Sequence, residues 1–408
     1  MRLWLSQVFS AVGDSLCMIA ITWLSVKTAG PAAGFVSGAG SVAGMCLGLV
    51  AGVYADRWNR RTTMVAVDVL RAMTVLSLVL INHYTPLTLW HFGVAAIIVA
   101  SLNSLFDPSL QASLPELTGS EDKLQAMNSL MQINHRLARI LGPALAGCLV
   151  LVVPIIHFFT VDAISFLVSA IAILSISKTF KWKHEAAETS KAGLSGVLED
   201  IRKGTILVIQ HQQLLWSLSM YIVCCFAWSA GFVVGFPLLA LQMPHSDIST
   251  YATLVTAYGI GSVTTYILIG AFPTRRRMLR VSISNIIFFV GFTIVALAPN
   301  LFVACLGAAL SAVGGPIGDI TILVMMQTDM PRKDLGKVYS LYLFVVSLGS
   351  AIGLLLSPLL FSSLGAKNGI LFCAITFGIG GLIGLLKFGF KEAPHVPKEA
   401  LEPRKNLY

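Results

Sequence analysis

Two aspartates lie inside apolar segments of the chain, and they are the side chains most clearly placed for ion or substrate chemistry. Asp14 comes about 11 residues into the first apolar segment, roughly 16 Å along a helix and so near the middle of a bilayer. A charge at that depth is costly and marks ion or substrate work. We interpret Asp14 as a carboxylate that alternates between a protonated form and a form paired with a cation. The alternative is an aspartate that only bonds to a neighbouring helix.

Asp319 follows a Gly-Gly-Pro-Ile-Gly sequence at 314–318 in a later apolar segment. Glycine and proline together favour a break that can open a helix onto a cavity within the membrane. The pattern therefore predicts a second proton or substrate site at Asp319. Structural roles are expected for Asp68 and Arg71, which are three residues apart and share a helix face, and for Asp162.

The common catalytic motifs are missing from the sequence. It contains no G-x-S-x-G, no H-E-x-x-H and no G-x-x-x-x-G-K-[ST] pattern. An ATP-driven pump needs a nucleotide-binding loop, so the energy must come from an ion gradient or from the substrate's own gradient. The seven cysteines lie in apolar segments without CxxC or Cys/His spacing. We expect transport without enzyme activity, without a cofactor and without a metal.

Composition places the chain in a membrane. Of its 408 residues 56% are hydrophobic and 12% are charged, and the mean hydropathy is +0.81, which is too apolar for a soluble protein of this length. The formal charge of +9 could suggest nucleic-acid binding. The basic residues, however, form short clusters between apolar segments, where membrane orientation explains them. We therefore expect no nucleic-acid partner.

Twelve apolar segments are long enough to span a bilayer as helices, and we number them span one to span twelve. Their approximate limits are 3–26, 34–55, 63–82, 87–108, 124–150, 155–177, 213–240, 249–271, 279–297, 301–326, 336–361 and 368–388. Of the 28 Lys and Arg residues, only Lys27 and Lys367 fall on the side of the membrane opposite to the two termini. Because Lys and Arg are enriched on the cytoplasmic side of membrane proteins, both termini are expected in the cytoplasm. The predicted fold is an all-α membrane protein.

The longest connection divides the chain into two six-helix halves. We place the first half at 1–177, a cytoplasmic linker at 178–212, the second half at 213–390 and a cytoplasmic tail at 391–408. Apolar residues recur near helical spacing from Leu194 to Val208, which predicts an amphipathic linker helix on the inner leaflet. A solvated linker helix is the alternative.

A charged turn with the order G-x-x-x-D-R-x-x-R-R lies between spans two and three, and its members are Gly52, Asp56, Arg57, Arg60 and Arg61. This order resembles the loop 2–3 signature of the major facilitator superfamily. Asn59 stands where that signature commonly has glycine, and asparagine tolerates the left-handed turn that glycine permits. A weaker copy occurs 218 residues later, with Thr274 at the acidic position. A generic positively charged inner loop is the alternative.

Residues 106–117, at and after the predicted end of span four, and the span-five residues Gly142, Pro143 and Gly147 extend the resemblance. Together with Asp14, they resemble the drug:proton antiporter branch that includes macrolide efflux proteins and the enterobactin exporter. The resemblance implies alternating access between two six-helix halves, and it links the span-five motif to antiport. It also implies that Asp56 is a conformational latch that docks at the start of span eleven. The arginine that many drug antiporters carry in span four is absent here.

Span seven contains the aromatic residues Phe226, Trp228 and Phe232, which predict a cavity for a partly apolar ligand. Packing or lipid contact is the alternative. The leading prediction is a monomeric exporter in a bacterial inner membrane that exchanges a macrolide-like drug, or several drugs, for protons. Its partners are a small molecule, protons and membrane lipids. A siderophore or metal-chelator exporter, a lysophospholipid flippase and a transporter-like sensor remain as alternatives.

Overall fold

The computed structural model describes residues 2–55, 58–118, 127, 130–131, 138, 141–142, 144–150, 152–175, 194–244, 247–269, 276–331 and 334–388. All regular secondary structure in this part of the chain is helical. Eleven of the twelve predicted spans are helices. Of span five, 141–142 and 144–149 are described as helix.

The single-helix spans are span one Arg2–Ala29, span two Ala33–Ala55, span three Arg60–Tyr84, span four Leu89–Thr118, span six His157–Leu174, span eight Ile248–Leu268, span nine Arg277–Leu297 and span ten Leu301–Asp329. A 3-10 turn, Gly30–Ala32, joins spans one and two. Spans eleven and twelve are the arms of one helical stretch, Leu335–Phe388, and they meet at Gly365. Gly365 has φ 75° and ψ 174°, a conformation that favours glycine.

Eight continuous helical stretches of the described chain are long and apolar enough to cross a bilayer. Two of them, Leu3–Gly48 and Leu335–Phe388, contain two spans each. Span eight is a helix of 21 residues but lies outside this set.

Polar caps begin several spans. The Asn59 side chain accepts a hydrogen bond from the Thr62 amide at 3.2 Å, and Asn300 does the same for span ten at 3.0 Å. Asn59 has φ −65° and ψ 109°, so the expectation of a left-handed turn at this residue is wrong. Asparagine serves here as a helix cap. Asp247 caps span eight; partial burial raises its pKa, but hydrogen bonds from Ser249 and Thr250 outweigh this, and the pKa lies below the usual value.

Span four is longer than predicted. The helix continues through Pro108 and Pro115 to Thr118, whereas the predicted span ends at residue 108. Proline removes the backbone donor that would bond to the carbonyl four residues earlier, yet the helix continues past both prolines. Membrane helices tolerate proline, and a proline was therefore a poor marker of the helix end.

Span seven is irregular. An α-helix, Gln212–Trp228, passes into a π-helix, Ser229–Gly235, and then into a short α-helix, Phe236–Ala240. Pro237 has no amide hydrogen to donate to the preceding turn, and glycine at 231 and 235 allows close packing, so the wider turn forms here. Span seven therefore changes helix type at its glycines and proline.

Span ten does not open at its Gly-Gly-Pro sequence. The helix Leu301–Asp329 is continuous through Pro316, so the predicted break before Asp319 is wrong. The Ser284 hydroxyl of span nine donates a hydrogen bond to the Gly314 carbonyl at 2.7 Å. A Cβ atom at Gly314 would come within 2.7 Å of the Ser284 carbonyl oxygen. The glycine therefore serves close packing of spans nine and ten.

The two halves touch at the end of the bundle opposite the linker helix, which we call the far end. Trp23 of span one stacks on Tyr251 of span eight with ring centroids 6.0 Å apart. Gly34 of span two packs against Leu354 and Pro358 of span eleven, where a Cβ atom would lie within 2.6 Å of the Leu354 carbonyl oxygen. We call the opposite end the linker end.

The linker helix is Leu194–Ile209, which confirms the predicted helix. Gly204 packs directly on span eleven, because a Cβ atom there would lie 2.5 Å from the Lys337 carbonyl oxygen. Leu198, Ile206 and Ile209 are exposed by half or more of their surface. Placement of this helix on the inner leaflet stays a prediction.

Candidate functional site

A cavity of about 280 Å³ lies within the first half and contains Asp14. We call it the N-half cavity. Spans one, three and four supply its polar lining, which comprises Gln7, Ser10, Asp14, Arg71, Asn103, Asp107 and Gln111. The positive charge of Arg71 attracts the Asp14 carboxylate and the negative charge of Asp107 repels it. Asp14 therefore faces a polar space within the bundle, as a titrating or ion-binding group requires.

Arg71 is buried in this cavity wall. Its Nη1 atom lies 3.4 Å from Asp68 Oδ1, which confirms the predicted pair within span three. Both side chains are nearly inaccessible, with 4% of Arg71 and 0% of Asp68 exposed. The guanidinium group lies over the Phe106 ring at 4.6 Å and over the Phe166 ring at 5.4 Å. The pair therefore belongs to the same site as Asp14, which the sequence did not indicate.

Asp162 of span six lies behind Asp14. Its side chain accepts hydrogen bonds from Ser165 at 3.3 Å and from the Cys17 thiol. Gly13 permits this arrangement, because a Cβ atom at that position would lie 2.7 Å from Asp162 Oδ1. Three buried or half-buried aspartates and one arginine thus share the interior of the first half.

The span-five motif lies beside the same site. A Cβ atom at Gly142 would collide with the side chain of Ser15, the residue after Asp14. Gly147 faces Ala252 of span eight, where a Cβ atom would lie 3.6 Å from the Ala252 Cβ. Pro143 lies outside the described residues. The glycines of the motif therefore bring span five close to span one and to the second half.

A second cavity, of about 230 Å³, lies within the second half and contains Asp319. We call it the C-half cavity. The Tyr221 hydroxyl donates a short hydrogen bond to one Asp319 oxygen, and the Tyr266 hydroxyl donates to the other at 3.2 Å. The Tyr342 hydroxyl lies 3.4 Å from the Tyr221 hydroxyl. Helices of spans seven, eight and eleven thus bring phenol groups to a carboxylate of span ten.

Aromatic rings form much of the remaining wall. Trp228 Nε1 donates a hydrogen bond to the Tyr258 hydroxyl at 2.8 Å. Phe288 of span nine stacks on Phe377 of span twelve with centroids 4.7 Å apart. The cavity therefore combines one carboxylate with several ring faces and hydroxyl groups.

The three aromatic residues proposed for a substrate cavity have different positions. Trp228 lines the C-half cavity. Phe232 stacks on Trp228 at 5.0 Å and supports it from the far-end side. The backbone of Phe226 packs against Gly353 of span eleven.

Only part of the charged turn is described. Gly52 lies in span two, and Arg60 and Arg61 begin span three. The Arg61 guanidinium donates a short hydrogen bond to the Leu174 carbonyl at the end of span six. Asp56 and Arg57 lie outside the described residues, so the latch stays a prediction.

The start of span eleven, where Asp56 is expected to dock, already holds charged groups. Lys337 Nζ lies 2.6 Å from Asp334 Oδ1. Gly204 of the linker helix packs on the same turn. A docked Asp56 would therefore share this helix end with Asp334 and the linker helix.

Sequence reasoning missed the convergence of tyrosines on Asp319. Tyr221 belongs to the aromatic set of span seven that predicted a cavity, but nothing in that pattern joins it to Asp319, and nothing in spans eight and eleven points to Tyr266 or Tyr342. Helix depth gave a signal for Tyr221 and Tyr342, which lie nine and seven residues from the linker end of their helices, against ten for Asp319. It gave none for Tyr266, which lies two residues from that end. Among the described residues, no group of three or more His, Cys, Asp or Glu side chains could hold a metal ion.

Comparison with known proteins agrees with this architecture. The family model MFS_3, described as transmembrane secretion effector, matches residues 1–406. The chain belongs to the major facilitator superfamily. Members of this superfamily are transporters, and the chain is a multi-pass membrane transporter with no enzyme activity of its own. The fold class predicted from the apolar segments is confirmed.

Several curated relatives of this transporter cover most of its length. An uncharacterised major facilitator transporter of Bacillus subtilis, YfiS, is 25% identical over 401 residues, covering 95% of this chain and 92% of YfiS. Macrolide efflux protein A of Streptococcus pyogenes is 22% identical over 377 residues, or 90% of each chain. Multidrug efflux pump Tap of Mycolicibacterium fortuitum is 23% identical over 392 residues, or 92% of each chain.

Solved structures support the same fold. The nucleoside transporter NupG has a TM-score of 0.71 at 12% identity and covers 96% of this chain and 99% of its own. A bacterial homologue of the human lysosomal transporter Spinster, in an inward-facing and occupied conformation, has a TM-score of 0.70 at 12% identity, covering 94% of this chain and 95% of its own. At this level of sequence identity, the structural similarity shows a shared fold and nothing about the substrate.

Proposed function

We propose that this transporter exports small amphipathic molecules from a bacterial cytoplasm in exchange for protons. The observation that carries the proposal is the position of Asp14 in a polar cavity inside the first half, beside the buried Arg71. Export is supported by the relatives named as macrolide and multidrug efflux proteins. Drug-like or multidrug cargo follows from the same relatives.

The proposed coupling step uses the charges around Asp14. When Asp14 carries a proton, the cavity loses one negative charge, and Arg71 keeps its 3.4 Å contact with Asp68. When Asp14 loses the proton, a second carboxylate competes for Arg71. Movement of Arg71 between these two neighbours would alter how spans one and three pack. Protonation is thereby linked to the relative position of helices in the first half.

The proposed orientation places the linker end in the cytoplasm, because only two of the 28 Lys and Arg residues, Lys27 and Lys367, fall on the opposite side in the predicted topology. The halves touch at the far end through Trp23 and Tyr251 and through Gly34 and Leu354. Contacts that close the outer end are expected in the inward-facing state and are incompatible with the outward-facing state. We therefore propose that the structure represents the inward-facing state, from which cargo is loaded.

The test uses purified protein in proteoliposomes with a trapped pH indicator. An imposed pH gradient should drive uptake of a macrolide antibiotic or a fluorescent drug, and drug movement should in turn release protons. Asp14→Asn keeps the side-chain volume, so the variant should insert normally while pH-driven transport falls to background. Asp247→Asn is the matched control, since it makes the same change at an exposed helix cap. Normal pH-driven transport by Asp14→Asn would refute the coupling role.

A further inference from the structure

The linker helix has two faces with different surroundings. On one face, Gly204 packs against the first turns of span eleven, and Val208 belongs to the apolar cluster at the linker end. Leu198, Ile206 and Ile209 lie outside these contacts, with 52%, 50% and 59% of their surface exposed. At about 100° per residue, the three side chains fall within an arc of about 80°, centred about 130° from the direction of Gly204 and Val208. The helix therefore presents a compact apolar face away from the bundle.

We propose that this face docks into the bilayer leaflet at the linker end, with Arg202 holding the headgroup of an anionic phospholipid. We call Leu198, Arg202, Ile206 and Ile209 the docking face. The inference concerns a partner of the linker helix, and it depends neither on the cargo nor on the coupling ion of the proposed function. In the proposed orientation this leaflet is the cytoplasmic one, whose surface is negatively charged.

The depth of the linker helix matches the membrane boundary. The helix ends at Ile209 and span seven begins at Gln212, so two residues separate it from a helix that enters the bilayer. A Cβ atom at Gly204 would lie 2.5 Å from the Lys337 carbonyl oxygen and 3.3 Å from Leu341 Cβ. Both contacts fall within the first two turns of span eleven, about 10 Å or less from its start. The helix therefore lies where lipid headgroups meet the hydrocarbon.

Two side chains of neighbouring spans mark the same level. Trp216 lies one turn into span seven, and the Nζ atom of Lys387, in the last turn of span twelve, lies 5.4 Å from the centre of its ring. Tryptophan, lysine and arginine are typical of the zone between membrane and water. Phe388 packs on Trp216 with ring centroids 6.0 Å apart, and it shares an apolar cluster with Val208. The packed face of the linker helix thus reaches this interfacial layer.

The charges of the linker helix favour a negatively charged surface. Arg202 is exposed, and at about 100° per residue it falls within the arc of the apolar docking residues. Of the two acidic residues in the helix, Glu199 pairs with Lys203 at 2.7 Å, and Asp200 attracts Lys337 of span eleven. An arginine can rest its apolar stem on hydrocarbon while its guanidinium group binds a phosphate. Apolar anchors with a central arginine are the pattern of a helix that lies in an anionic interface.

Electron paramagnetic resonance of spin-labelled full-length protein in lipid nanodiscs tests the proposal. Ile206→Cys and Lys203→Cys are labelled separately in a cysteine-free background. Each label is exposed to oxygen, which concentrates in lipid, or to a nickel chelate, which stays in water. With equal parts of phosphatidylcholine and phosphatidylglycerol, the label at 206 should collide mainly with oxygen. The label at 203, about 60° further round the helix, should collide mainly with the nickel chelate.

The lipid charge and Arg202 supply the second comparison. Arg202→Gln should lower the ratio of docked to undocked label at 206 about fivefold in the mixed lipid, because one basic residue near an anionic surface contributes about that factor. Nanodiscs of phosphatidylcholine alone should also lower the ratio. Arg202→Lys should keep most of it. Lys27→Gln is the control, since it removes a positive charge at the far end, and it should leave the ratio unchanged.

Three results would overturn the proposal. Equal nickel collisions at 206 and 203 would mean that water surrounds the helix. Low accessibility of the label at 206 to both reagents would mean that another part of this chain covers the face. An equal docked ratio with and without phosphatidylglycerol, or with and without Arg202, would mean that no anionic headgroup is held there. The altered side chains are exposed, so every variant should elute as the unaltered protein does in gel filtration.

Discussion

The tight contact at Gly34 gives a direct test of alternating access. In this structure the Gly34 backbone of span two lies against span eleven, and an added Cβ atom would lie 2.1 Å from Ser357 Oγ, 2.6 Å from the Leu354 carbonyl oxygen and 2.9 Å from Pro358 Cδ. The Ser357 hydroxyl can rotate, but the other two neighbours belong to a helix backbone and a rigid ring, so neither of them moves aside cheaply. The contact joins the two halves and must separate whenever the far end opens. Gly34→Ala should therefore penalise the far-end-closed state alone.

The size of the effect is set by the crowding. Inserting a methyl group into a well-packed contact costs about 1–3 kcal/mol. Since about 1.4 kcal/mol corresponds to a factor of ten, the ratio of open to closed far ends should rise by about 5- to 150-fold. Gly38→Ala meets the Leu355 side chain at 2.8 Å, and a side chain can rotate, so a smaller shift is expected. Gly93→Ala, in span four, serves as the control, because a Cβ atom there would meet no atom of the described residues within 4 Å.

Pulsed electron paramagnetic resonance between spin labels at Lys27 and Lys367 would measure the populations. Both positions are exposed at the far end, one in each half. Gly34→Ala should increase the long-distance population strongly, Gly38→Ala weakly and Gly93→Ala not at all. A distance distribution in Gly34→Ala equal to that of Gly93→Ala, in a monodisperse sample, would refute the reasoning. It would mean that the contact persists through the cycle or that span eleven absorbs the methyl group at no cost.

Further predictions concern charge and topology. Asp68→Asn removes the carboxylate that contacts the buried Arg71 and should lower the thermal melting temperature. Glu199→Gln, at an exposed ion pair, should leave it unchanged, and equal melting curves for the two variants would contradict this. In a cysteine-free background, a cysteine replacing Asp247 should react with an impermeant thiol reagent on whole cells, whereas a cysteine replacing Thr274 should not. The reverse labelling pattern would show that the proposed orientation is inverted. Asp56→Asn should keep substrate binding but slow turnover, because it favours the inward-facing state by about 0.3–2 kcal/mol. Normal transport, together with an unchanged distance between the linker ends of spans two and eleven, would exclude a latch.

Sequence patterns predicted the features that depend on neighbours along the chain. The spans and the linker helix follow from apolar runs and helical spacing, and the Asp68–Arg71 contact follows from a three-residue separation on one helix. The convergence of Tyr221 and Tyr266 on Asp319 depends on how spans seven, eight and ten assemble, which no local pattern encodes. For the same reason, the proximity of Arg71 to Asp14 was not foreseen.

The misplaced expectations have local causes. Pro108 and Pro316 suggested a helix end and a helix break, but both helices continue through the proline, as membrane helices commonly do. Asn59 was expected to replace a left-handed glycine, and its side chain instead caps span three.

The π-helical segment of span seven has a consequence for how this helix could have evolved. A π-helical turn takes up one more residue than an α-helical turn. In an α-helix, each residue turns the side-chain direction by about 100°. Trp228 and Phe236 are eight residues apart, which in a regular helix would separate their directions by about 80°. With one residue taken up by the π-helical turn, eight residues rotate as seven do in an α-helix, and the angle between the two side chains becomes about −20°. The two rings therefore lie on one side of the helix, and Phe232 lies between them with ring-centroid distances of 5.0 and 5.2 Å. Deletion of one residue within 229–235 would restore an ordinary helix and break this column, which joins the C-half cavity to the far-end core at Phe292.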